Sequence, residues 1–359
     1  MSMLFKKELM TNSQNKMAME AQYKELIARR EMANNQELAL HAMMKQSGMA
    51  ANQAARIPED VWRFMDDITV DEFRSDEGDV ILNDVMGQAK SIHFGKIKYE
   101  YRQASDAGNY TRHLTGQAPV LGDKVDYTYE SSIVPVHSTA FRRSYREALS
   151  FQSEGFDAMV DDQRETVRTL RQNVVDYMLN GGTETFNGTT YNGIFGDANT
   201  IQIDLGTGGQ NFDFTSSSAT GADIRANFKT LRDAIMITNN IVAPITFYVS
   251  REILSNFERF YSDDSGSQVT ILNELRRLEQ VGAIKQTSIL TGNSIIAMPL
   301  DQRYFMPVSG MALSTEMVTR LRWNDDFIYD NWMALGFIVK SDFQGRSGVL
   351  YATTDNPNA

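Results

Sequence analysis

Four histidines and no cysteine limit what this chain can do with a metal or a nucleophile. The closest two of His41, His93, His113 and His137 are 20 residues apart, so no HExxH-type helical pair exists. Without cysteine there is no thiolate ligand, thiol nucleophile or disulfide, and neither a metal nor another cofactor is expected. Four adjacent Asp-Asp pairs remain: Asp66-Asp67, Asp161-Asp162, Asp263-Asp264 and Asp325-Asp326. A general acid/base pair needs one carboxyl in an apolar pocket that raises its pKa. Nothing in the sequence marks such a pocket, so these pairs read as solvated turns or helix starts. Asp263, Asp264, Ser265 and Gly266 form a polar loop without the ligand spacing of an EF-hand. Gly206-Thr207-Gly208-Gly209 lacks the strand–loop–helix setting of a phosphate loop, and neither GxxxxGK[ST] nor GxSxG occurs. The chain is therefore not expected to be an enzyme.

The remaining chemistry is that of charged surfaces. The net charge is −11, which argues against a general nucleic-acid binder. Residues 1–56 go against this trend, with eight Lys/Arg, among them Lys16, Lys24, Arg29 and Arg30, against five Glu. A mildly basic arm thus precedes an acidic body. It reads either as a solvated helical tail or as an arm lying on the acidic surface of a neighbouring copy. A second set, Lys96, Lys98, Arg102, Arg112 and Lys124, lies on and beside a segment of alternating residues and reads as cationic. Its cations serve either to protect strand edges or to dock on an adjacent acidic subunit; docking is the favoured reading.

The elements that position these residues follow from periodicity. Residues 1–47 lack Gly and Pro and are rich in helix formers and Met, which suits an adaptable helical contact surface. Residues 91–104 and 125–136 alternate apolar and polar around a polar tip, which predicts a two-stranded ribbon of 12–15 residues per arm, roughly 40–50 Å long. A lone ribbon of that length is marginal in water and needs another surface. The spacing of Met159, Val160, Gln163, Val167, Leu170, Val174 and Met178 predicts a helix over 153–180, capped by Ser153 and stopped by Gly181-Gly182, about 40 Å long. Gly/Thr/Asn/Ser-rich loops follow over 181–221. Next comes an αβ lobe with a helix carrying Ile224, Phe228 and Leu231, a buried strand at 245–249, a helix capped by Ser250, and short strands at 287–290, 294–298 and 303–307. No run is apolar enough to span a membrane, and the N-terminus lacks a secretory signal pattern.

Two stretches carry a family likeness: TVRTLRQNVVDYMLNGGTETFNGTTYNGIFG (166–196) and ITFYVSREILSNFERFYSDDSGSQVTILNELRRLEQVGAIKQTSIL (245–290). With the order arm, ribbon, long helix, Gly-rich turn and αβ lobe, the chain resembles the Hong Kong 97-type major capsid proteins of tailed phages, a fold shared with encapsulins. The resemblance implies an α+β fold divided into an N-arm (1–57), the start of a P-domain (58–89), an E-loop (90–140), P-domain with spine helix 153–180 (141–220), an A-domain (221–312), P-domain strands (313–344) and a C-terminal return to the A-domain (345–359). It implies hexamers and pentamers closing into an icosahedral head around double-stranded DNA, with the loop at Asp263–Gly266 near the capsomer centre. It also implies a virion protein, assembled in the bacterial cytoplasm with scaffolding and portal proteins and, in some heads, a decoration protein. Some relatives join an E-loop Lys to a neighbour's Asn. Residues 103–123 hold no Lys, so no such isopeptide bond is expected. The arm is short and begins at Met1, so an uncleaved arm and a separate scaffolding protein are expected. An encapsulin-type compartment, a carboxylate-based hydrolase and a minor virion protein remain the alternatives. Particles with DNA rather than a protein cargo set the first apart, and a soluble monomer with an acidic pocket marks the second. Failure to self-assemble marks the third. The central expectation is that ribbon and arm cannot bury themselves and rely on sister molecules.

Overall fold

The computed structural model describes residues 78–354 apart from 109, 111, 115–121, 155–157 and 263–268, together with 24–25, 27–32, 35–36 and 39. The chain divides into two units, Met1–Phe73 and Arg74–Ala359. In the first, every described residue is helical. Arg29 pairs with Glu25 one turn away at 2.6 Å, and Ile27 and Met32 are exposed.

The second unit is built on two sheets. A four-stranded sheet has the order β1 (Lys90–Ser91), β11 (Phe305–Met317), β12 (Phe327–Val339) and β4 (Val136–Arg143), antiparallel except for β1 beside β11. Helix α3 (Ala158–Asn180) lies on one face of it. The contact is specific. Gln163 Nε2 donates to Thr315 Oγ1 at 3.1 Å, and fully buried Asn331 donates to Thr166 Oγ1 at 2.8 Å. Arg143 grips Asp162 through Nε and Nη2 at 2.5 and 2.8 Å. Leu170, Val174, Val175 and Met178 of α3 fill a core with Ile81 and Val85 of α1 (Asp79–Met86) and Leu335 and Phe337 of β12.

A five-stranded sheet has the order β7 (Ile201–Asp204), β13 (Leu350–Thr353), β10 (Ser294–Pro299), β8 (Ile245–Val249) and β9 (Val281–Gln286). Every residue of β8 and β10 is buried, as expected of strands covered on both faces. Phe247, Val249, Ile295 and Ala297 pack into a second core with Ile224, Phe228 and Leu231 of α5 (Gly221–Asp233), while Tyr248, Ile296 and Met298 join the first. Short helices are set by their caps: Thr220 accepts from Asp223 N at 3.2 Å, and Ser250 accepts from Ile253 N at 3.3 Å to start Arg251–Phe257.

Several sequence expectations are corrected. The long helix begins at Ala158, and Ser153 lies inside a separate helix α2 (Tyr145–Glu154) instead of capping α3. At 23 residues α3 is about 35 Å long. Its apolar stripe is buried only in the second half, and Val160 is 48% exposed. The ribbon strands β2 (Lys98–Ala104) and β3 (Tyr127–Ile133) have seven residues each, about 23 Å. The first arm is cut short by a turn in which Lys96 N donates to His93 O. Pro135, which cannot donate to a ladder, separates β3 from β4. Residues 287–290 are not a strand; the chain pairs earlier, at 281–286, where Gly282 sits within the strand.

The strand pairing also crosses the expected boundaries. Residues 90–91 and 136–140 of the expected E-loop, and 305–312 of the expected A-domain, are strands of the four-stranded sheet. Ile201–Asp204, expected in the P-domain, pairs in parallel with β13 in the other sheet. In each case hydrogen-bond register decides where the strand belongs, and chain order does not reveal it.

Candidate assembly surface

β2 and β3 pair antiparallel, with Tyr101 opposite Glu130 and Arg102 opposite Tyr129. The two-residue period gives the ribbon two unlike faces. Tyr99, Tyr101, Gln103, Thr128, Glu130 and Ser132 share one. Glu100, Arg102, Ala104, Tyr127, Tyr129 and Ser131 share the other.

The first face is held by the chain's own body. Gln103 Nε2 donates to the carbonyl and hydroxyl oxygens of Ser341 at 3.0 and 2.9 Å, and its own carbonyl accepts from Thr128 at 2.8 Å. The hydroxyl of Tyr101 donates to Glu130 Oε2 at 2.5 Å and accepts from Ser341 N at 3.0 Å. Asn199 Nδ2 donates to the same carboxylate oxygen at 3.0 Å, and Ser132 donates to Phe337 O at 2.6 Å. Tyr99 and Tyr101 pack on Val134, Met306, Val308 and Ile338. Burial, aided by the bond to Glu130, pushes the Tyr101 hydroxyl up to about 12. Burial also raises the Asp197 carboxyl, against the Asn199 N–H that bonds it, with Glu130 adding to the rise. Lys340, whose ammonium lies 5.7 Å from the Tyr101 ring centroid, is lowered by burial and then by Lys90.

This corrects the expectation that the ribbon cannot bury itself, because the far end of β12 covers one side. The other side meets the body only near the root, where the Ser131 hydroxyl lies 3.1 Å from Thr189 Oγ1, and is open around Tyr127 and Tyr129. Tyr127 and Tyr129 are 51% and 66% exposed, and the Arg102 guanidinium stacks 4.7 Å from the Tyr127 ring centroid.

The basic residues singled out in the sequence do not converge. Lys96 is exposed, Lys98 pairs with Glu100 at 2.8 Å, and Lys124 pairs with Asp126 at 3.7 Å. Arg112 leans on Tyr110, donating from Nε to its hydroxyl at 3.2 Å. With Glu100, Asp106, Asp123, Asp126 and Glu130 counted, residues 96–133 carry five acids against five Lys/Arg, so the ribbon is neutral, not cationic. In the arm, Lys24, Arg29 and Arg30 are exposed on helix, while Lys16 lies outside the described residues. Asp263, Asp264, Ser265 and Gly266 also lie outside them. Of the paired acids, Asp162 is clamped by Arg143, and Asp325 accepts from Arg322 N at 2.7 Å. Both serve structure. Among the described residues no group of three His, Asp or Glu could hold a metal, and no helix is long and apolar enough to cross a membrane.

Sequence reasoning missed the root of the ribbon. Gln103, Glu130 and Ser341 are ordinary polar residues, and only the pairing of β3 beside β12 brings them together. It also missed Leu321 and Trp323, exposed at the turn between β11 and β12, where Trp323 meets Tyr145 edge-on at 5.4 Å.

The model of a family of unknown function, DUF6260, matches residues 51–352. No curated protein matches the sequence. Among solved structures, the capsid of Myoviridae phage XM1 superposes with a TM-score of 0.59 at 11% identity, over 84% of this chain and 99% of that one. The capsid of cyanophage P-SCSP1u gives 0.53 at 13% identity, over 85% and 97%. The capsid of an empty GTA particle gives 0.52 at 12%, over 84% and 99%. The fold is that of the Hong Kong 97-type capsid proteins.

Proposed function

Since this chain belongs to the DUF6260 family and carries a Hong Kong 97-type fold, we propose that it is the major capsid protein of a tailed bacteriophage. Copies gather as hexamers and pentamers in a closed icosahedral head around double-stranded DNA. The work of the molecule is assembly, not catalysis. The observation that carries the reading is the two-faced ribbon. Its root is clamped by Gln103 and Ser341, while Tyr127, Tyr129 and Arg102 present a rigid aromatic face to solvent. Aromatic and arginine side chains held in place are the groups that anchor protein interfaces. The basic arm supports the same reading, since it can lie on an acidic neighbour. An acidic body suits DNA storage, because a wall that gripped phosphate would hinder packing and release. The partners of this reading are a scaffolding protein, a portal and, in some heads, a decoration protein. Assembly takes place in the host cytoplasm and the product is the virion.

The test is to express the chain alone and with its neighbouring genes, then image the purified protein by negative-stain electron microscopy. Closed particles, with DNA in those formed during infection, are expected. A monodisperse monomer under every condition overturns the reading. Particles filled with a protein cargo instead of DNA replace it with an encapsulin-type compartment.

A further inference from the structure

The hairpin that follows α3 borders a groove. Its strands β5 (Thr185–Phe186) and β6 (Thr189–Thr190) pair antiparallel just beyond Gly181-Gly182, and the loop leading into them carries Glu184. This loop, the last turns of α3 and the start of β4 together line a groove of about 610 Å³. Ile97, Ile133, Val136 and Phe186 give it apolar walls, and Ile97, Val136 and Phe186 are exposed. Two carboxylates, Asp176 and Glu184, line it as well, and no Lys or Arg does.

The polar groups of this groove are acceptors that lack a charged donor. Asp176 accepts from the neutral Asn180 amide at 2.7 Å, and Glu184 has no ion pair among the described residues. His137 spends its Nε2–H on Leu335 O, which leaves Nδ1 as an acceptor. Tyr177 is only 6% exposed, yet its hydroxyl has no hydrogen-bond partner. Buried polar groups are nearly always paired, so an orphan here needs an explanation. Burial, and then Glu184, push this hydroxyl above the usual tyrosine range, so it stays neutral and within the field of Glu184. Gly182 permits that approach: a Cβ there would collide with Glu184 Oε2 and stand 2.8 Å from Tyr177 Cε2.

Acceptors call for N–H donors, two carboxylates for two positive charges, and apolar walls for a methylene chain. Among the described residues no group of three His, Asp or Glu could hold a metal, which points to an organic cation. We infer that this groove binds a linear aliphatic diamine. One ammonium donates to Glu184 and to the orphan Tyr177 oxygen, the second donates to Asp176, and the chain between them lies on Ile97, Val136 and Phe186. Ammonium–carboxylate contacts are charge-assisted and stronger than neutral hydrogen bonds. The site belongs to a single copy and stands apart from the shell-subunit reading.

The test is isothermal titration calorimetry of the whole chain with putrescine, a four-carbon diamine, in low-salt buffer near neutral pH. Saturable binding at one site per chain is expected. Glu184→Gln and Asp176→Asn should each weaken it about tenfold, the loss of one charge-assisted contact. Both positions are exposed, so the variants should fold as the wild type does. Tyr177→Phe keeps the ring against His137, Tyr191 and Phe337 and removes only the hydroxyl. It should raise the Tm of the amine-free protein, because a stranded polar group is gone, and weaken putrescine about three- to tenfold. A higher Tm with unchanged binding would mean that the hydroxyl takes no part, and overturns the assignment. Glu316→Gln lies outside the groove and should leave binding as it is. An equal loss there would mean diffuse attraction to an acidic protein and overturns the site. No heat from putrescine, or equal binding of the neutral butanediol of the same length, overturns it as well. None of these outcomes bears on whether the chain forms closed particles, so the shell reading is tested separately.

Discussion

Gln103 and Ser341, 238 positions apart in the chain, hold the ribbon to the end of β12 through two hydrogen bonds from one amide. Both residues are buried. Removing the amide takes the donor from the Ser341 carbonyl, while the Ser341 hydroxyl keeps Glu130 at 3.4 Å and exposed Thr128 can turn to water; a buried polar group without a partner costs about 1–3 kcal/mol. Gln103→Ala should therefore destabilise the protein by that amount. Hydrogen exchange should speed up selectively in β2 and β3, while α3 keeps its protection. Uniform acceleration across the body would show that the ribbon root is not a local clamp.

Asp84 of α1 ties the helix to the five-stranded sheet. It accepts from Lys285 Nζ at 2.7 and 2.6 Å and from the Tyr248 hydroxyl at 2.8 Å. Burial, and then Asp84 itself, raises the Tyr248 hydroxyl far above the usual tyrosine range, so it remains a donor at any working pH. Asp84→Ala removes the bonds to both partners at once and should cost about 2–4 kcal/mol, whereas Tyr248→Phe, which removes one donor and leaves Asp84 bonded to Lys285, should cost only about 0.5–1.5. Urea unfolding of the two variants checks the order.

Gly181 ends α3 at φ +76°, and a Cβ there would stand 2.4 Å from the Asn192 carbonyl carbon and Tyr191 oxygen. Gly193, at φ +74°, meets it from the other side. Gly181→Ala combines left-handed strain with a backbone collision and should cost more than about 3 kcal/mol, or abolish soluble expression. Gly196→Ala is the control. Its new methyl would meet only Asn192 Cβ at 3.6 Å, so a change within about 0.5 kcal/mol is expected in thermal unfolding.

Gly181 was legible in the sequence as the helix stop, as were the Ser250 cap, the strand at 245–249 and the helix through Phe228. Each rests on chemistry within a few residues. What was not legible depends on register between distant strands. Gln103 finds Ser341, and Glu316 faces Asp330, only once β3, β11 and β12 are aligned. Local spacing also cannot tell how much of a stripe is covered: the α3 pattern runs from Val160 to Met178, yet only its second half meets the core. The ribbon's charge was misread for a simpler reason. Its cations stand out on an acidic chain, while Glu100 and Asp126, which neutralise Lys98 and Lys124, do not.

His137 gives a pH dependence whose sign is fixed by its surroundings. Its Nε2–H donates to Leu335 O at 3.0 Å, and its ring meets Tyr177 edge-on at 5.1 Å beneath the four-stranded sheet. Burial lowers its pKa, opposed more weakly by the Leu335 carbonyl and by Glu184. As pH falls through the unfolded value of about 6.5, the unfolded chain takes up the proton first. Stability should therefore be level above that point and decline below it, until the folded imidazole also protonates. His137→Gln keeps an N–H for Leu335 and removes the titration. Thermal unfolding between about pH 7 and about pH 5.5 should lower the Tm of the wild type more than that of the variant. Carboxylates titrate alike in both proteins, so the gap between the two curves isolates His137. Parallel curves would mean that the imidazole ionises as readily in the folded protein as in the unfolded chain, and that its burial beside Tyr177 carries no electrostatic cost.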